Sequence, residues 1–536
     1  MDDLCRLEIM DTTLRDGEQT SGVSFNSEEK LGVVKLLLRS LKVDRVEVAS
    51  ARVSIGEFQA VQRIAKWAEK HDFLDKIEVL GFVDGNASLD WIHASGARVV
   101  NLLAKASLKH LRGQLRKTAQ EHVQDVKDAV AYATKLGIKV NLYLEDWSNG
   151  MHTSRDYVWY LLDELKNEDI QRFMLPDTLG VMNQVQAFDF CSACRERYPK
   201  LHFDFHAHND YDLALANVYS AVLAGMNGIH TTVNGLGERA GNAPLASVVG
   251  VIKDHLDRKI NVDEDKINTV SRIVETFSGI RIPANKPLVG ENVFTQTCGV
   301  HADGDSKDDL YFNRLMPERF GRERKYALGK TSGKANIKKN LEELGISLDE
   351  ETMKVVTQRV IELGDKKEMV TIDDLPYIVS DVLNQTMEEM PIQIKHYSLS
   401  LSKGMRPFAS INIEINGEMY EGTASGDGQY DAFMNAIWTV YEKLEKVRPV
   451  LSDYLVRIPP GGKTDALVET LITWNYEGKE FKTRGLDPDQ IEAAIKATIR
   501  MLNQIEMNKE VSLPKLRDCR SREYGVKGFA GSFHPE

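Results

Sequence analysis

His206 and His208 in "FHAHND" stand two residues apart. On an extended strand that spacing puts both imidazoles on one face, because side chains alternate sides with a period of two. Two imidazoles so placed can share one metal ion. Asp16 in "DTTLRDGEQT" offers a hard anionic ligand, and Asn242 in "GLGERAGNAP" can add an oxygen. Two histidines, a carboxylate and an amide oxygen leave coordination positions open, a set that suits Mg²⁺ or Mn²⁺, with Zn²⁺ as the alternative. Arg15 lies next to Asp16. A guanidinium stays charged at any physiological pH and can stabilise negative charge developing on an oxygen. The short apolar runs elsewhere end in the same manner, on Glu145 and Asp146, on Asp177 and Thr178, and on Asn234.

Groups so far apart in sequence need a scaffold that gathers strand ends. From Arg6 to about residue 256, β-rich runs alternate with amphipathic helical stretches: "RLEIMD", "DRVEVAS", "KIEVLGFV", "ARVVNLLA", "IKVNLYLE", "RFMLPDT", "HFDFHAHND" and "GIHTTVNG". Eight such units predict an α/β fold, a TIM (β/α)8 barrel, whose active site lies at the C-terminal ends of the strands. A doubly wound sheet is the alternative, but no Rossmann glycine fingerprint accompanies it. Asn26 and Glu29 form a capping pair ahead of "SEEKLGVVKLLLRS", and Gly137 ends "TAQEHVQDVKDAVAYATKLG". The barrel is assigned to residues 1–280. Residues 281–390 read as small linker subdomains with helices near 333–345, 348–364 and 372–385. Residues 391–507 form a separate α+β module whose first hairpin turns at Asn416-Gly417, and 508–536 is a tail without clear periodicity.

With 536 residues, 42% hydrophobic and 28% charged, the chain is long enough for two or three domains of ordinary soluble composition. A net charge of −12 argues against a surface built to neutralise phosphate backbones, so no nucleic-acid partner is expected. The N-terminus "MDDLCRLEIMD" lacks a basic region followed by an apolar one, and no run of about 18 apolar residues occurs, which predicts a cytoplasmic protein and no membrane partner. Five scattered cysteines fit reduced thiols. Cys191 and Cys194 form a CxxC, but on a helical pattern without a second ligand pair. The "GKT" at 462–464 is no phosphate loop, since the required earlier glycine is Arg457.

Three segments, "DTTLRDGEQT", "FHAHNDYDLALAN" and "VNGLGERAGNAPL", resemble the signature segments of the acyl-CoA-condensing TIM-barrel synthases, the family of isopropylmalate, homocitrate and citramalate synthases. The similarity extends from the barrel through the C-terminal module. It implies a divalent metal held by Asp16, His206, His208 and Asn242, and condensation of acetyl-CoA with a 2-oxo acid followed by hydrolysis that releases CoA. Arg15 is implied as the group that stabilises the enolate, and Thr178 as a substrate contact. The proton acceptor is left between His301 in "CGVHADGD" and Glu145, with Asp303, Leu310 and Tyr311 on the acetyl-CoA side.

The oxo acid follows from pocket volume and charge. Tyr143 lies two residues before Glu145 and so on the same strand face; leucine-pathway relatives tend to carry a small residue there. With Leu80 and Leu103 it would make a tight apolar pocket that admits the methyl of pyruvate, crowds the isopropyl of 2-oxoisovalerate and offers no cation to 2-oxoglutarate. "YLEDWSNG", "ASARVS" and "RIPPGGKTDALVET" resemble the citramalate-forming branch; isopropylmalate formation is the alternative. The C-terminal module resembles the family's end-product-sensing domain, which dimerises and binds a branched-chain amino acid, here expected to be isoleucine. Matching positions are Tyr430, Leu451, Tyr454, Ile458, Val468 and Pro488 for an aliphatic side chain, Asp431 for an ammonium group, and Gln490. Two other classes stay open: a non-catalytic amino-acid sensor on a barrel scaffold, and a carboxyltransferase or acyl-CoA lyase. The last two would need a biotin carrier or a catalytic loop cysteine, for which Cys298 is the nearest candidate.

Overall fold

A computed structural model of the chain describes residues 6–305, 310–365, 370, 372, 375–382, 390–457, 468–487 and 489–511. It divides into two compact units, one up to Ala327 and one from Leu328 onward. The first holds a closed barrel of eight parallel strands: β1 (Glu8–Asp11), β2 (Arg45–Ser50), β3 (Ile77–Phe82), β4 (Val99–Lys105), β5 (Lys139–Glu145), β6 (Ile170–Asp177), β7 (Phe203–Ala207) and β8 (Gly228–Thr231). Closure is through β1 and β8, which pair from Glu8 against Gly228 to Asp11 against Thr231. Every strand is the one expected from its β-rich run. The helices between them bury an apolar stripe on the outer face of the strands, where Ile9, Val46, Val48, Val79, Leu142, Phe173 and Phe205 lie in one core with Val34, Leu37, Ile64 and Val126. Asn26 caps the helix Ser27–Lys35 by accepting from the backbone N–H groups of Glu28 and Glu29, and Glu29 returns a bond to the N–H of Asn26.

The barrel interior is layered differently. Near the mouth a small apolar cluster of Met10, Leu80, Tyr143 and Met174, with Leu103 against it, fills the lumen. Beneath it the inward positions are polar. Arg45 on β2 bonds Asp204 on β7 at 2.5 Å and Glu78 on β3 at 2.9 Å, and Arg172 on β6 reaches Glu8 on β1 at 3.1 Å. Strands that are not neighbours meet only across the lumen, so these charges are inside the barrel. Buried ions are costly unless paired and hydrogen-bonded, and here each one is. A Cβ at Gly228 would lie 2.1 Å from Asp204 Oδ1, so β8 must begin on glycine to make room for the pair.

In the second unit the helices Lys334–Glu343, Glu350–Asp365 and Leu375–Val382 share a core of Ile337, Leu341, Val356, Val360 and Leu375. Two three-stranded antiparallel sheets follow, Ile392–Ser400, Phe408–Ile415 and Glu418–Ser425, then Val450–Arg457, Val468–Tyr476 and Lys479–Asp487. Each precedes a helix, Gln429–Lys443 and Gln490–Val511. The expected hairpin turns at Asn416-Gly417, both with positive φ. The last helix runs past residue 507 to Val511, and the compact unit that holds the barrel continues beyond residue 280 to Ala327. Residues 512–536, the GKT stretch and the N-terminal 1–5 lie outside the described residues. No described helix is long and apolar enough to cross a membrane.

Candidate active site at the barrel mouth

After β1 the chain folds into a tight turn in which the backbone N–H groups of Arg15, Asp16 and Gly17 all point to the carbonyl of Thr12, at 3.2, 2.9 and 3.1 Å. This turn lays Arg15 and Asp16 over the mouth. The alternation of β7 brings His206 and His208 up to Asp16: their Nε2 atoms lie 3.6 and 3.9 Å from Asp16 Oδ2. One ligand atom from each of the three residues falls within 4.8 Å of the others, all buried, and they form the metal-type cluster found among the described residues. Asn242 donates to Asp16 Oδ1 at 2.8 Å, while its own buried Oδ1 has no hydrogen-bond partner among the described residues. A buried amide oxygen with no such partner, on a side chain that bonds Asp16, offers one more donor that a divalent cation at this cluster could take. The loop needs glycine at 237, where a Cβ would sit 2.2 Å from Asn242 Nδ2 and 3.2 Å from Asp16 Oδ1.

The electrostatics suit a ligand set. Burial pushes the Asp16 carboxyl up, but Arg15, His206, His208 and the Asn242 amide outweigh it and hold it well below the usual carboxylate range. Burial lowers both His206 and His208, against the pull of Asp16, so both imidazoles are neutral with a lone pair available at pH 7. For Arg15, burial acts against the charge, yet Glu47 and Asp16 more than offset it and keep the guanidinium cationic.

Arg15 is braced on several sides. Nε donates to Glu47 Oε2 at 2.6 Å, Nη1 to Asp16 Oδ2 at 2.8 Å and Nη2 to the Tyr143 hydroxyl at 3.3 Å. Beside it lies a cavity of about 330 Å³ lined by Arg15, Asp16, Leu80, Leu103, Tyr143, Glu145, Thr178, His206 and His208, all expected from the sequence, and by Gln19, Ser50, Val53, Phe82, Pro176 and Glu238, which were not. Lys105, also missed, is buried and ion-paired with Glu145. The signal was available: β4 and β5 run in register from Val99 opposite Lys139 to Lys105 opposite Glu145, so both strands end on opposite charges side by side.

Other strand-end residues turn away from the cavity. Asp146 accepts from Ser107 at 2.6 Å and from Asn149 at 2.8 Å; Asp177 takes the backbone N–H groups of Val181 and Met182; Asn234 donates to the carbonyl of Ser271. They hold loops. His301, on the helix Gly299–Asp305, bonds Gln296 at 3.0 Å and packs against Tyr311 with ring centroids 4.2 Å apart and the rings tilted by 37°. The structure thus joins His301 to Tyr311, but neither they nor Asp303 and Leu310 line the cavity. Cys191 and Cys194 are buried on one helix, and burial raises both thiols, Cys194 to about 12, which leaves them unreactive.

In the C-terminal module Tyr430 and Tyr454 meet with ring centroids 5.6 Å apart, and the Tyr430 hydroxyl bonds Thr498 at 2.7 Å. Gln490 opens the last helix and is exposed. Asp431 accepts from the backbone N–H of Asp427 at 2.8 Å and from Asn435 at 3.4 Å. Leu451 is exposed and Val468 half-buried. Ile458 and Pro488 lie outside the described residues.

A closed parallel barrel with a His-His-Asp cluster and a fixed cation at its mouth defines a TIM-barrel protein with a candidate metal site. Residues 6–274 match the family described as HMGL-like, residues 288–368 the homocitrate synthase post-HMGL domain, and residues 369–506 the LeuA allosteric (dimerisation) domain. The chain belongs to the HMGL-like family, within its isopropylmalate and citramalate synthase group. It is 33% identical over 502 residues to the (R)-citramalate synthase of Methanocaldococcus jannaschii, covering 93% of this chain and 99% of that one. It is 32% identical over 511 residues to the 2-isopropylmalate synthase of the same organism, covering 94% and 96%. The 2-isopropylmalate synthase of Dictyoglomus turgidum is 33% identical over 510 residues, covering 94% and 99%.

Proposed function

We propose that this protein condenses acetyl-CoA with pyruvate and hydrolyses the product thioester to (R)-citramalate and CoA. The coarser activity, condensation of acetyl-CoA with a 2-oxo acid, rests on relatives named as synthases of both kinds at 32–33% identity. Those identities do not discriminate between the two oxo acids. The observation that carries the choice of pyruvate is the cavity wall: Tyr143, 3% exposed, closes the lumen together with Leu80 and Leu103 directly beside the Asp16, His206 and His208 cluster.

A divalent ion, Mg²⁺ or Mn²⁺ before Zn²⁺, held by Asp16, His206, His208 and the Asn242 amide oxygen would supply Lewis-acid polarisation of the keto carbonyl. The rest falls to the chain's own side chains. Arg15 stabilises negative charge on the thioester oxygen once a methyl proton has left, and its fixed position spares reorganisation when the charge appears. Glu145 faces the cavity and is the carboxylate placed to take a proton or to orient water, with the Lys105 ammonium paired to it and holding it in place. Thr178 lines the cavity while its hydroxyl accepts from the backbone N–H of Asp146 at 2.9 Å, which fixes its rotamer. His301 with Tyr311 serves the CoA side. In this reading residues 391–507 dimerise and bind isoleucine as a feedback inhibitor, with Tyr430 and Tyr454 against its side chain.

Isopropylmalate formation remains the second reading, because Tyr143 also packs as interior core against Met10 and Met174. A silent sensor has no use for the orphaned Asn242 oxygen or the braced guanidinium. Thiol release from acetyl-CoA, measured with pyruvate, 2-oxoisovalerate and 2-oxoglutarate in turn, tests the proposal: pyruvate should give the highest kcat/KM. Preference for 2-oxoisovalerate would overturn the substrate, and no release with any of the three would overturn the reaction.

A further inference from the structure

The side chains behind Arg15 close into a ring. Arg15 Nε donates to Glu47 at 2.6 Å; Asn101 Nδ2 bridges Glu47 at 2.8 Å and Glu78 at 3.0 Å; Arg45 joins Glu78 at 2.9 Å to Asp204 at 2.5 Å. From Asp204, His230 Nε2 lies at 3.1 Å, His230 Nδ1 lies 3.0 Å from the Tyr143 hydroxyl, and that hydroxyl returns to Arg15 Nη2 at 3.3 Å. Six of the eight strands contribute, and apart from Arg15 the members are buried.

The proton inventory gives the Tyr143 end of this ring one direction. Asp204 is an ionised acceptor, paired with Arg45, so His230 presents its Nε2–H to it, and the Tyr143 hydroxyl 3.0 Å from the other ring nitrogen, Nδ1, is the group that can donate there. Arg15 has donors only. The phenolic proton therefore has one place to go, His230 Nδ1, and the Tyr143 oxygen is left with its lone pairs facing Arg15. We propose that Asp204 and His230 are positioning residues that act through the Tyr143 hydroxyl to hold the Arg15 guanidinium over the cavity, a role for Tyr143 separate from the size of its ring. The inference rests on the reading of Arg15 as the group that stabilises the enolate.

Tyr143→Phe keeps the ring and removes the hydroxyl. Hydrogen bonds to charged groups are worth roughly ten- to a hundredfold in an equilibrium, so kcat for CoA release should fall by about tenfold or more. The KM for pyruvate, the pyruvate to 2-oxoisovalerate ratio and Mn²⁺ affinity measured by calorimetry should each stay within about twofold, which bare loss of packing would not predict. His230→Leu should lower kcat as much, and the Tyr143→Phe/His230→Leu pair no further than the worse single variant. His230→Gln, whose amide can donate to Asp204 and accept from Tyr143, should recover most of the rate. Should His230→Leu fail to fold, Tyr143→Phe and His230→Gln suffice. Wild-type kcat in Tyr143→Phe, or equal losses in His230→Gln and His230→Leu, overturns the proposal. A crystal structure of Tyr143→Phe separates this from failure of the enzymatic reading: a displaced Arg15 supports the positioning role even if the wild-type protein releases no CoA, and an unmoved Arg15 refutes it.

Discussion

If Tyr143 sets the size of the pocket, Tyr143→Ser should exchange one oxo acid for another. Its ring is 3% exposed and packs with Met10, Leu80 and Met174, so serine leaves a void beside the metal-type cluster that a larger substrate can fill. Isopropyl exceeds methyl by two carbons. At about 0.8 kcal/mol for each buried methylene-sized group, filling that void is worth about 1.6 kcal/mol, or roughly 15-fold in relative kcat/KM. That lies within the range by which hydrophobic pockets discriminate such pairs. Both substrates should also lose turnover, since serine cannot reach Arg15 and His230 as the phenol does, and loss of a large buried side chain costs about 3 kcal/mol of stability or more. Those losses are common to both substrates and cancel in the ratio. The assay is thiol release at several concentrations of pyruvate and of 2-oxoisovalerate, with thermal unfolding of the same variant. A ratio within about twofold of the wild type, together with a lowered Tm, would return Tyr143 to the barrel core and refute the reasoning.

Three further outcomes are expected. Chelation should abolish CoA release and Mg²⁺ or Mn²⁺ restore it, and His206→Ala and His208→Ala should each lose most turnover and Mn²⁺ binding while their circular dichroism is unchanged; full activity in chelator-treated protein would remove the metal assignment. Asp11 is buried, its Oδ2 has no hydrogen-bond partner among the described residues, and burial pushes its carboxyl up to about 7 against the bond from the Thr13 N–H. The folded state therefore keeps a proton that the unfolded chain releases near pH 4, and stability falls as pH rises from there through about 7. Asp11→Asn keeps the acceptor for Thr13, so its gain in Tm over the wild type should grow from pH 5 to pH 8, and a gap independent of pH would contradict the shift. Isoleucine should inhibit more than leucine, with Tyr454→Ala weakening inhibition and sparing Mn²⁺ binding; calorimetry showing no isoleucine bound would exclude the sensor role.

Much of this site was legible because its parts are local. The spacing of His206 and His208 places two imidazoles on one strand face, and once β1 closes onto β8 in a barrel, Asp16 in the turn after β1 must come near β7. Leu80, Leu103 and Tyr143 followed from their place near the ends of β3, β4 and β5. Strand-end polarity alone overcounted, however. Asp146, with φ 63°, and Asn234, with φ 59°, sit in left-handed turns, and Asp177 accepts two backbone N–H groups; the loops that leave a barrel have donors of their own to satisfy. A polar residue after an apolar run is as consistent with that duty as with a cavity wall. Lys105 was passed over for the opposite reason, since a lysine at a strand end ordinarily reads as solvated, and only the register with β5 sets it against Glu145.

The interior ring was half visible. "RVEVAS", "KIEVLG", "RVVNLL", "KVNLYLE", "HFDFH" and "GIHTT" each carry a polar residue amid apolar neighbours, which in a strand buried on both faces is costly and so calls for a partner. The partners cannot be read from the pattern, because Asp204 lies 159 residues from Arg45 and Tyr143 lies 87 from His230. Closure of the barrel brings them together, and it does so in the lumen, where the partners come from opposite walls. Replacing such a network by apolar residues is often neutral or stabilising, so stability alone does not account for it. What distinguishes this one is its upper end. Glu47 from β2 and Tyr143 from β5 grip the same guanidinium from different sides, so Arg15 cannot swing without moving a side chain anchored across the barrel. In the role proposed for Arg15, a cation standing ready before charge develops needs that kind of restraint, and an apolar lumen could not supply it.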